Sequence, residues 1–367
     1  MKLRAALAQA IGPAFIAALC GPADEVGRGA ADQRAGDVAA EATSQSHDSS
    51  RAPAETAAAV PTGTTATAVA PAPVPTPVLT REGGRFLLDG RPITPFGLRL
   101  ANTLQSDEIA NRMIAHMDEM RAHGIQSFSL TLQGGRHTDG GNSAFNAYTP
   151  DGELKPEYRD RLARVLNAAA RHGMVPVVVF FYRGRDEELN GSDAVRAAVR
   201  NTMEFLRPWR HLWVSIANEP YHGGYDQPLL TERAGYTELY RLAKEVDPDR
   251  IVYGSHDRGA NDGFIADTWG RAGKAPPRAG DVSIEYRPGL DDMDDPGKFS
   301  AADRARTREE IMATARGGGY FFLHAAWHQK ADAPGWPRFD KGGAGTEDDP
   351  GVAFAWDAMR DYARGRQ

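Results

Sequence analysis

Two runs of apolar residues, 174–181 and 212–216, restrict the folds open to this chain more than any other feature. Val, Ile, Phe and Trp dominate both runs, without the regular polar alternation of a half-exposed strand. Strands of this kind are buried on both faces, which is typical of parallel sheets covered by helices. Segments with the 3.6-residue periodicity of amphipathic helices flank both runs. We therefore predict a parallel α/β fold.

The alternation of strand and helix continues from residue 84 to residue 362. Residues 84–93 contain two short apolar stretches around Asp89 and Gly90, a typical hairpin signal. We expect this hairpin to cover one end of the domain, the bottom of the barrel predicted below. The strands expected after it are 95–102, 125–132, 174–181, 212–216, 251–255, 264–269, 281–285 and 319–327. The turn after the first of these lacks the glycine pattern of dinucleotide-binding folds. We therefore expect a closed (β/α)8 TIM barrel.

Two helix starts can be placed from capping residues. Ser106 is expected to cap the first helix, because acidic residues follow it directly. Four apolar side chains at helical spacing predict the buried face of this helix: Ile109, Met113, Met117 and Met120. Further along, Thr307 and Glu310 have the spacing of a capping box, which predicts a helix start at Thr307.

The N-terminal residues 1–23 have the layout of an export signal. Lys2 and Arg4 precede an uncharged run, 5–20, which is too short to span a bilayer comfortably. Cys20 at its end could carry a lipid, which would make the protein an outer-membrane lipoprotein. The alternatives are a cleaved signal with secretion of a soluble protein, or an uncleaved anchor. Each of these predicts a secreted, periplasmic or cell-envelope location.

Residues 24–79 are rich in Ala, Thr and Pro and contain almost no large apolar side chains. Such a segment cannot offset its ordering entropy, so we expect a disordered linker whose Pro-rich end is an extended tether. The folded domain is expected at residues 80–367. The formal net charge of −6 indicates no nucleic-acid or membrane-surface partner, and we expect a monomer. The single cysteine excludes an intrachain disulfide.

Polar and aromatic residues collect at the ends of the predicted strands. In a barrel, the C-terminal ends of the strands form one mouth, where the chemistry of such enzymes occurs. Two of these residues are glutamates, Glu219 after the fourth strand and Glu285 at the end of the seventh. The other candidates for substrate contacts are Arg99, Asn102, Gln133, Tyr182, Asn218, His256, Trp269, Tyr286, His324 and Trp327.

The sequence Ser-Ile-Ala-Asn-Glu-Pro at 215–220 resembles the fourth-strand motif of clan A glycoside hydrolases, especially family 5-like cellulases and mannanases. The resemblance covers most of residues 84–362, including the hairpin and the late segment 317–324. It implies a retaining hydrolase of β-linked glycans without a cofactor. Glu219 would be the acid/base and Glu285 the nucleophile, with Asn218 binding the sugar 2-hydroxyl and Trp327 forming the floor of the sugar site. Arg99 could keep Glu285 ionised by its opposite charge.

Two other hypotheses stay open at this point. Tyr286, Arg287 and Pro288 depart from the residues that commonly follow the nucleophile in the family, so the chain could be a non-catalytic glycan-binding barrel that lost its nucleophile. The histidines at the strand ends, His256, His324 and His328, raise a metal-dependent hydrolase as the third hypothesis, since three histidines suffice for zinc. No Cys/His zinc spacing accompanies them.

Overall fold

The computed structural model describes residues 71–82, 85–134, 145–220, 224–254, 268–269, 285–286, 297–316, 319–323, 325, 328 and 337–365. All of them belong to one compact unit, Thr64–Gln367. At 268–269 and 285–286 the description is limited to the backbone. The predicted export signal and most of the predicted linker lie outside these residues. Within them, no helix combines the length and apolar character needed to cross a bilayer.

The strands in the described ranges are, in chain order, β1 (Leu79–Glu82), β2 (Arg85–Leu88), β3 (Arg91–Ile93), β4 (Phe96–Arg99), β5 (Ser127–Thr131), β6 (Gln133–Gly134), β7 (Phe145–Asn146), β8 (Val175–Phe181), β9 (Trp213–Ala217), β10 (Val252–Gly254), β11 (Thr268–Trp269), β12 (Glu285–Tyr286) and β13 (Phe321–Leu323). The helices of the same ranges are α1 (Asp107–Ala115), α2 (Met117–Ala122), α3 (Pro156–Arg171), α4 (Gly191–Leu206), α5 (Pro228–Thr231), α6 (Arg233–Val246), α7 (Ala301–Arg316) and α8 (Ala353–Ala363).

Eight strands form one sheet in the order β11-β10-β9-β8-β5-β4-β13-β12. Each hydrogen-bonded pair in it is parallel. Neighbours in the sheet follow chain order, with one exception. The strand of this sheet that comes first in the chain, β4, pairs with the one that comes last, β13. In an open sheet built in chain order these two strands would lie at opposite edges. Their pairing is that of a ring, so the sheet is an α/β barrel, as the sequence predicts.

The barrel strands separate two apolar cores because successive side chains point to opposite faces. Val178 and Phe180 of β8 pack outward with the helices, in the larger core. Val177 and Val179 pack inward, in a smaller core that fills the barrel. This double burial explains why residues 174–181 show no polar alternation in the sequence.

An N-terminal antiparallel sheet of β1, β2 and β3 packs its apolar residues into the inward core. Strands β2 and β3 are joined by a turn at Asp89 and Gly90, whose φ angles are 49° and 73°. Phe86 of β2 is fully buried, and its ring lies 4.5 Å from that of Trp213 and 6.0 Å from that of Tyr320, both edge-on. Since Trp213 begins β9 and Tyr320 directly precedes β13, the hairpin closes the end of the barrel opposite the mouth.

The last residues of the segment expected to be a linker, 71–78, have no regular secondary structure but are tied to the barrel. Asn167 of α3 accepts a hydrogen bond from the Val74 amide at 3.1 Å and donates one to the Ala72 carbonyl at 2.9 Å. The hydroxyl of Thr76 accepts from the Arg210 amide at 2.9 Å. An extended Pro-rich chain leaves its carbonyls and remaining amides unpaired, so polar groups of the barrel can hold it without burying apolar surface. The contribution of Asn167 could not be read from residues 24–79 alone.

The helix predicted after Ser106 is present, and its four apolar residues are buried as expected. The Ser106 hydroxyl accepts a hydrogen bond from the Ile109 amide at 3.2 Å, which confirms the predicted cap. At His116 the backbone leaves the helical conformation, so the buried face predicted for one helix is shared between α1 and α2.

The predicted helix start at Thr307 is wrong, because α7 begins already at Ala301. Ser300 is the residue that caps it: its hydroxyl accepts from the Asp303 amide at 3.1 Å. Thr307 lies inside the helix, where its hydroxyl donates to the Asp303 carbonyl at 2.9 Å. Two motifs with capping-box spacing, Ser300–Asp303 and Thr307–Glu310, occur in this segment, and local sequence does not decide between them.

Candidate active site

Glu219, immediately beyond β9, has an unusual backbone conformation. Its φ angle is 48°, in the left-handed region, and the one other non-glycine residue with positive φ in the described ranges is Asp89 of the hairpin turn. A residue with a Cβ atom pays free energy to adopt this conformation, so tertiary contacts must hold it. The Glu219 side chain is also buried, with 5% of the residue exposed. A strained, buried carboxylate at the end of a barrel strand is typical of an active site.

Arg99 and Asn218 connect the first and fourth strands of the barrel next to this glutamate. The Arg99 Nη2 donates to the side-chain oxygen of Asn218 at 2.9 Å, and both residues are 2% exposed. The Asn218 Nδ2 lies 3.4 Å from Oε2 of Glu219. Because the guanidinium holds the oxygen of the Asn218 amide, the NH2 group is turned toward the carboxylate. The three residues, predicted separately from strand ends, therefore form one hydrogen-bonded group.

Tyr225 supports the backbone at the same point. Its hydroxyl donates to the carbonyl oxygen of Asn218 at 2.5 Å, and the carbonyl oxygen of Phe181 lies 3.3 Å away. Burial raises the pKa of Tyr225 well above its ordinary value. The hydroxyl therefore keeps its proton and remains a hydrogen-bond donor.

Asp186, in a 3₁₀ turn after β8, holds the loop that carries Tyr225. Its Oδ2 accepts hydrogen bonds from the backbone amides of Asp226 and Gln227, both at 2.8 Å. Asp186 is fully buried. Burial raises the pKa of this carboxyl group to about 6, although the hydrogen bonds from the two amides oppose the rise. The loops after β8 and β9 are thus joined through one carboxylate.

Gln133 is fully buried, and loops around the mouth occupy its amide group. Its Nε2 donates to Asn146 Oδ1 and to the Arg185 carbonyl, each at 3.2 Å, while its Oε1 accepts from the Tyr182 amide at 3.0 Å. Contrary to the expected substrate contact, both ends of this amide are committed to protein groups. Gln133 positions the loops after β5 and β8.

Asn102 and Tyr182, also expected to contact substrate, are nearly inaccessible to solvent. Asn102 is fully buried in the 3₁₀ turn Ala101–Leu104 that follows β4. Tyr182 directly follows β8 and is 2% exposed. Both lie at the C-terminal ends of their strands, as predicted, within the packed wall of the barrel.

Several predicted site residues are described in part or lie outside the description. The backbone of Glu285 and Tyr286 forms β12, next to β13, and that of Trp269 ends β11, next to β10. His256, His324 and Trp327 lie outside the described residues.

His328 does not face the mouth. It is fully buried, and its ring lies 5.8 Å from that of Trp356 in α8, on the helical side of the barrel. Burial lowers the pKa of His328 to about 4, which keeps the ring neutral. Packing between sheet and helix removes it from the histidine set considered for a metal. Among the described residues, no group of three His, Cys, Asp or Glu side chains could hold a metal ion.

The two residues that sequence reasoning missed are Asp186 and Tyr225. Asp186 begins the acidic run 186–188, which has the composition of a solvated loop. Tyr225 follows Gly223 and Gly224 and carries no pattern that separates it from other loop tyrosines. Their importance comes from contacts between two loops that are distant in sequence, so no local signal could have found them.

The fold is shared with solved structures of glycoside hydrolases. An endo-1,4-β-mannanase from Eisenia fetida superposes with a TM-score of 0.54 at 14% identity, covering 79% of this chain and 96% of that one. A β-glucanase from Saccharophagus degradans gives 0.53 at 11% identity, with 80% and 95% covered. The endoglucanase catalytic domain from Thermobifida fusca gives 0.51 at 12% identity, with 77% and 97% covered.

These likenesses identify the fold as the barrel of family 5-like, clan A glycoside hydrolases, the family that the motif at 215–220 resembles. At such identities they establish the fold alone. No protein-family model matches the chain. No curated protein sequence matches it either.

Proposed function

We propose that the protein is a retaining glycoside hydrolase that acts on β-linked oligo- or polysaccharides. The observation that carries the proposal is the buried Glu219 carboxylate, held at the barrel mouth in a left-handed backbone conformation beside the Arg99–Asn218 pair. Strain of this kind persists only where the surrounding structure maintains it. The mannanase and glucanases that share the fold make β-linked glycans the expected substrates.

Strand register supports Glu285 as the partner of Glu219. The row of paired residues that starts at Glu285 continues through Phe322, Gly97, Ser127 and Val175. Val177, two residues after Val175, pairs with Trp213 of β9. The row therefore reaches this part of the chain at the level of His211, two residues before β9 begins. His211 lies eight residues before Glu219. In a (β/α)8 barrel such a row returns displaced by about eight residues, and the opposite sense would lead into α4. If the row is followed from Glu285 in the opposite direction around the barrel, it is therefore expected to reach the level of Glu219.

The proposed reaction has two steps. In the first, Glu285 attacks the anomeric carbon while Glu219 protonates the oxygen of the departing sugar, which yields a covalent glycosyl-enzyme. In the second, Glu219 takes a proton from water, and the water oxygen replaces Glu285 at the anomeric carbon. The Asn218 NH2 group is suited to the sugar 2-hydroxyl, a contact that strengthens toward the oxocarbenium-like transition state. The positive charge of Arg99 would favour the ionised form of Glu285, which a nucleophile requires.

The remaining residues of the proposed site act on the sugar itself. Aromatic rings bind pyranose faces through apolar contact, a role we assign to Trp327 and Trp269. Tyr182 and Asn102 are exceptions, because they are buried in the barrel wall after β8 and β4. Hydrogen bonds to sugar hydroxyls are the proposed role of His256, Tyr286 and His324.

Location remains part of the proposal. Export through residues 1–23 would bring the barrel to extracellular or periplasmic glycans, and lipidation of Cys20 would attach it to the outer membrane. Mass spectrometry of the protein from its native envelope would show whether residue 20 is N-terminal and lipidated.

The function is tested with Glu219→Gln and Glu285→Gln on β-mannan, β-glucan and aryl β-glycosides. We expect hydrolysis by wild type, a loss of at least about 10³-fold in either variant, and retention of the anomeric configuration by NMR. Glu238→Gln, which alters an exposed glutamate on α6, is the matched control and should match wild type. Full activity of Glu285→Gln would show that Glu285 is not the nucleophile. Glycan binding without hydrolysis would identify a non-catalytic barrel. Loss of activity on addition of a chelator would identify a metal-dependent enzyme.

A further inference from the structure

We propose that Tyr225, anchored through Asp186, is a positioning residue that holds Glu219 in its reactive orientation. The proposal rests on the function proposed above, in which Glu219 is the acid/base. Tyr225 does not approach the sugar in this scheme. It acts through the peptide group that joins Asn218 to Glu219.

The geometry of that peptide group explains how a hydrogen bond to Asn218 can orient Glu219. The φ angle of Glu219 is the rotation about its own N–Cα bond, measured against the peptide plane that carries the Asn218 carbonyl. Tyr225 binds this carbonyl oxygen from one side. The Asn218 amide donates to the Phe181 carbonyl at 3.0 Å, which holds the preceding peptide in the sheet. With the plane fixed, the left-handed φ of 48° directs the Glu219 side chain.

Tyr225 can resist the relaxation of this strain because its own loop is held at several points. The Gly184 amide donates to the Gly224 carbonyl at 2.9 Å. Asp186 accepts from the two amides that follow Tyr225. The side chain of Gln227 donates to the Leu189 carbonyl at 3.2 Å. The loop after β9 is thus clamped to the loop after β8, and the tyrosine hydroxyl projects from this clamp to Asn218.

A displaced acid/base gives a kinetic signature that general destabilisation does not. Protonation by Glu219 matters most when the leaving group is a poor one, and little when it departs as a stable anion. The ratio kcat/KM reports the step that releases this group. Loss of positioning should therefore lower kcat/KM for a phenyl glycoside far more than for a 2,4-dinitrophenyl glycoside.

The test is Tyr225→Phe, which removes one hydroxyl, assayed on phenyl and 2,4-dinitrophenyl β-cellobiosides and β-mannobiosides. We expect about a tenfold fall in kcat/KM for the phenyl substrate, as for one lost hydrogen bond, and less than about a twofold fall for the dinitrophenyl substrate. Equal falls on both substrates, or none, would overturn the proposal.

Tyr148→Phe is the matched control. Tyr148 is also buried, and its hydroxyl lies 3.0 Å from that of Thr202, between α4 and the loop before α3. Its loss removes a comparable buried hydrogen bond, so the melting temperature should fall while the ratio between the two substrates stays at the wild-type value.

A crystal structure of Tyr225→Phe makes the outcome independent of the proposed activity. If wild type hydrolyses neither these four glycosides nor β-mannan and β-glucan, the proposed function fails, and the structure alone decides whether Tyr225 positions Glu219. We expect the Asn218 carbonyl to rotate and the φ angle of Glu219 to leave the left-handed region. An unchanged backbone at Glu219 would overturn the positioning role even if wild type is fully active.

Discussion

The Arg99 guanidinium donates a hydrogen bond of 2.9 Å to the side-chain oxygen of Asn218, which joins the first strand of the barrel to the fourth. The two residues are 119 positions apart in the chain and both are buried. A charged donor is strong in such surroundings because water does not compete for it. The pair fixes which end of the Asn218 amide, the NH2 group, is turned toward Glu219.

Arg99→Ala should therefore lower kcat/KM by about tenfold to a hundredfold, the effect of one lost charged hydrogen bond. Arg99→Lys should recover part of the loss, since it keeps the charge but not the planar donor group. Arg196→Ala, which breaks an exposed ion pair with Glu238, is the control for loss of an arginine. Steady-state kinetics on the best aryl glycoside provide the measurement. Wild-type kinetics in Arg99→Ala would show that the pair is structural.

Phe86→Ala should destabilise the barrel by about 3–5 kcal/mol, because it empties the inward core beneath Trp213 and Tyr320. Urea unfolding followed by tryptophan fluorescence measures the change. Val78→Ala, at a residue 37% exposed, is the matched control and should change stability by less than about 0.5 kcal/mol. A loss below about 1 kcal/mol in Phe86→Ala would mean that the hairpin does not close the barrel in solution.

Asp186 should make stability depend on pH. Its folded pKa is raised to about 6 by burial, so its contribution to folding is complete below the unfolded value near 4 and is lost as the pH rises through 6. Asp186→Asn keeps an oxygen acceptor for the two amides but cannot ionise. The variant should exceed wild type in free energy of unfolding by about 3 kcal/mol at pH 8, with the difference disappearing toward pH 4.

Urea titrations between pH 4 and pH 8 test this dependence. Asp193→Asn, at an exposed carboxylate on α4, should show no comparable divergence from wild type. A lower stability of Asp186→Asn at pH 8 would mean that the ionised carboxylate is needed by the Asp226 and Gln227 amides more than burial penalises it.

Asn167→Ala should release the segment 71–78 from the barrel. The substitution removes the acceptor for the Val74 amide and for the Trp209 indole, whose Nε1 donates to Asn167 at 2.9 Å. We expect hydrogen exchange at the Val74 amide to accelerate by more than tenfold. The Val78 amide is an internal control, since its acceptor is the Asp89 carboxylate at 2.8 Å. Unchanged exchange at Val74 would show that Asn167 does not hold the segment.

How far sequence reasoning reaches is clearest at β8 and α1. The apolar run at 174–181 predicted a doubly buried strand, and Ser106 predicted a helix start, because both depend on neighbours close in the chain. The capping error at Thr307 arose where two local patterns competed, and the helix extends to the one that begins at Ser300.

The candidate site divides in the same way. Glu219 and Asn218 could be recognised because a strand of known direction ends at them, and Arg99 because it ends another. Other outcomes depend on which segments meet in space. The Gln133 amide hydrogen-bonds to loop residues, and His328 packs against Trp356.

The sequence by itself determined the parallel barrel and the strand ends that carry Glu219 and Glu285, since periodicity and strand direction are local properties. The tertiary structure alone decided the left-handed conformation of Glu219 and the clamp of Asp186 and Tyr225 that supports it. Strain needs compensation from contacts between distant segments, and these exist only once the loops after β8 and β9 have met.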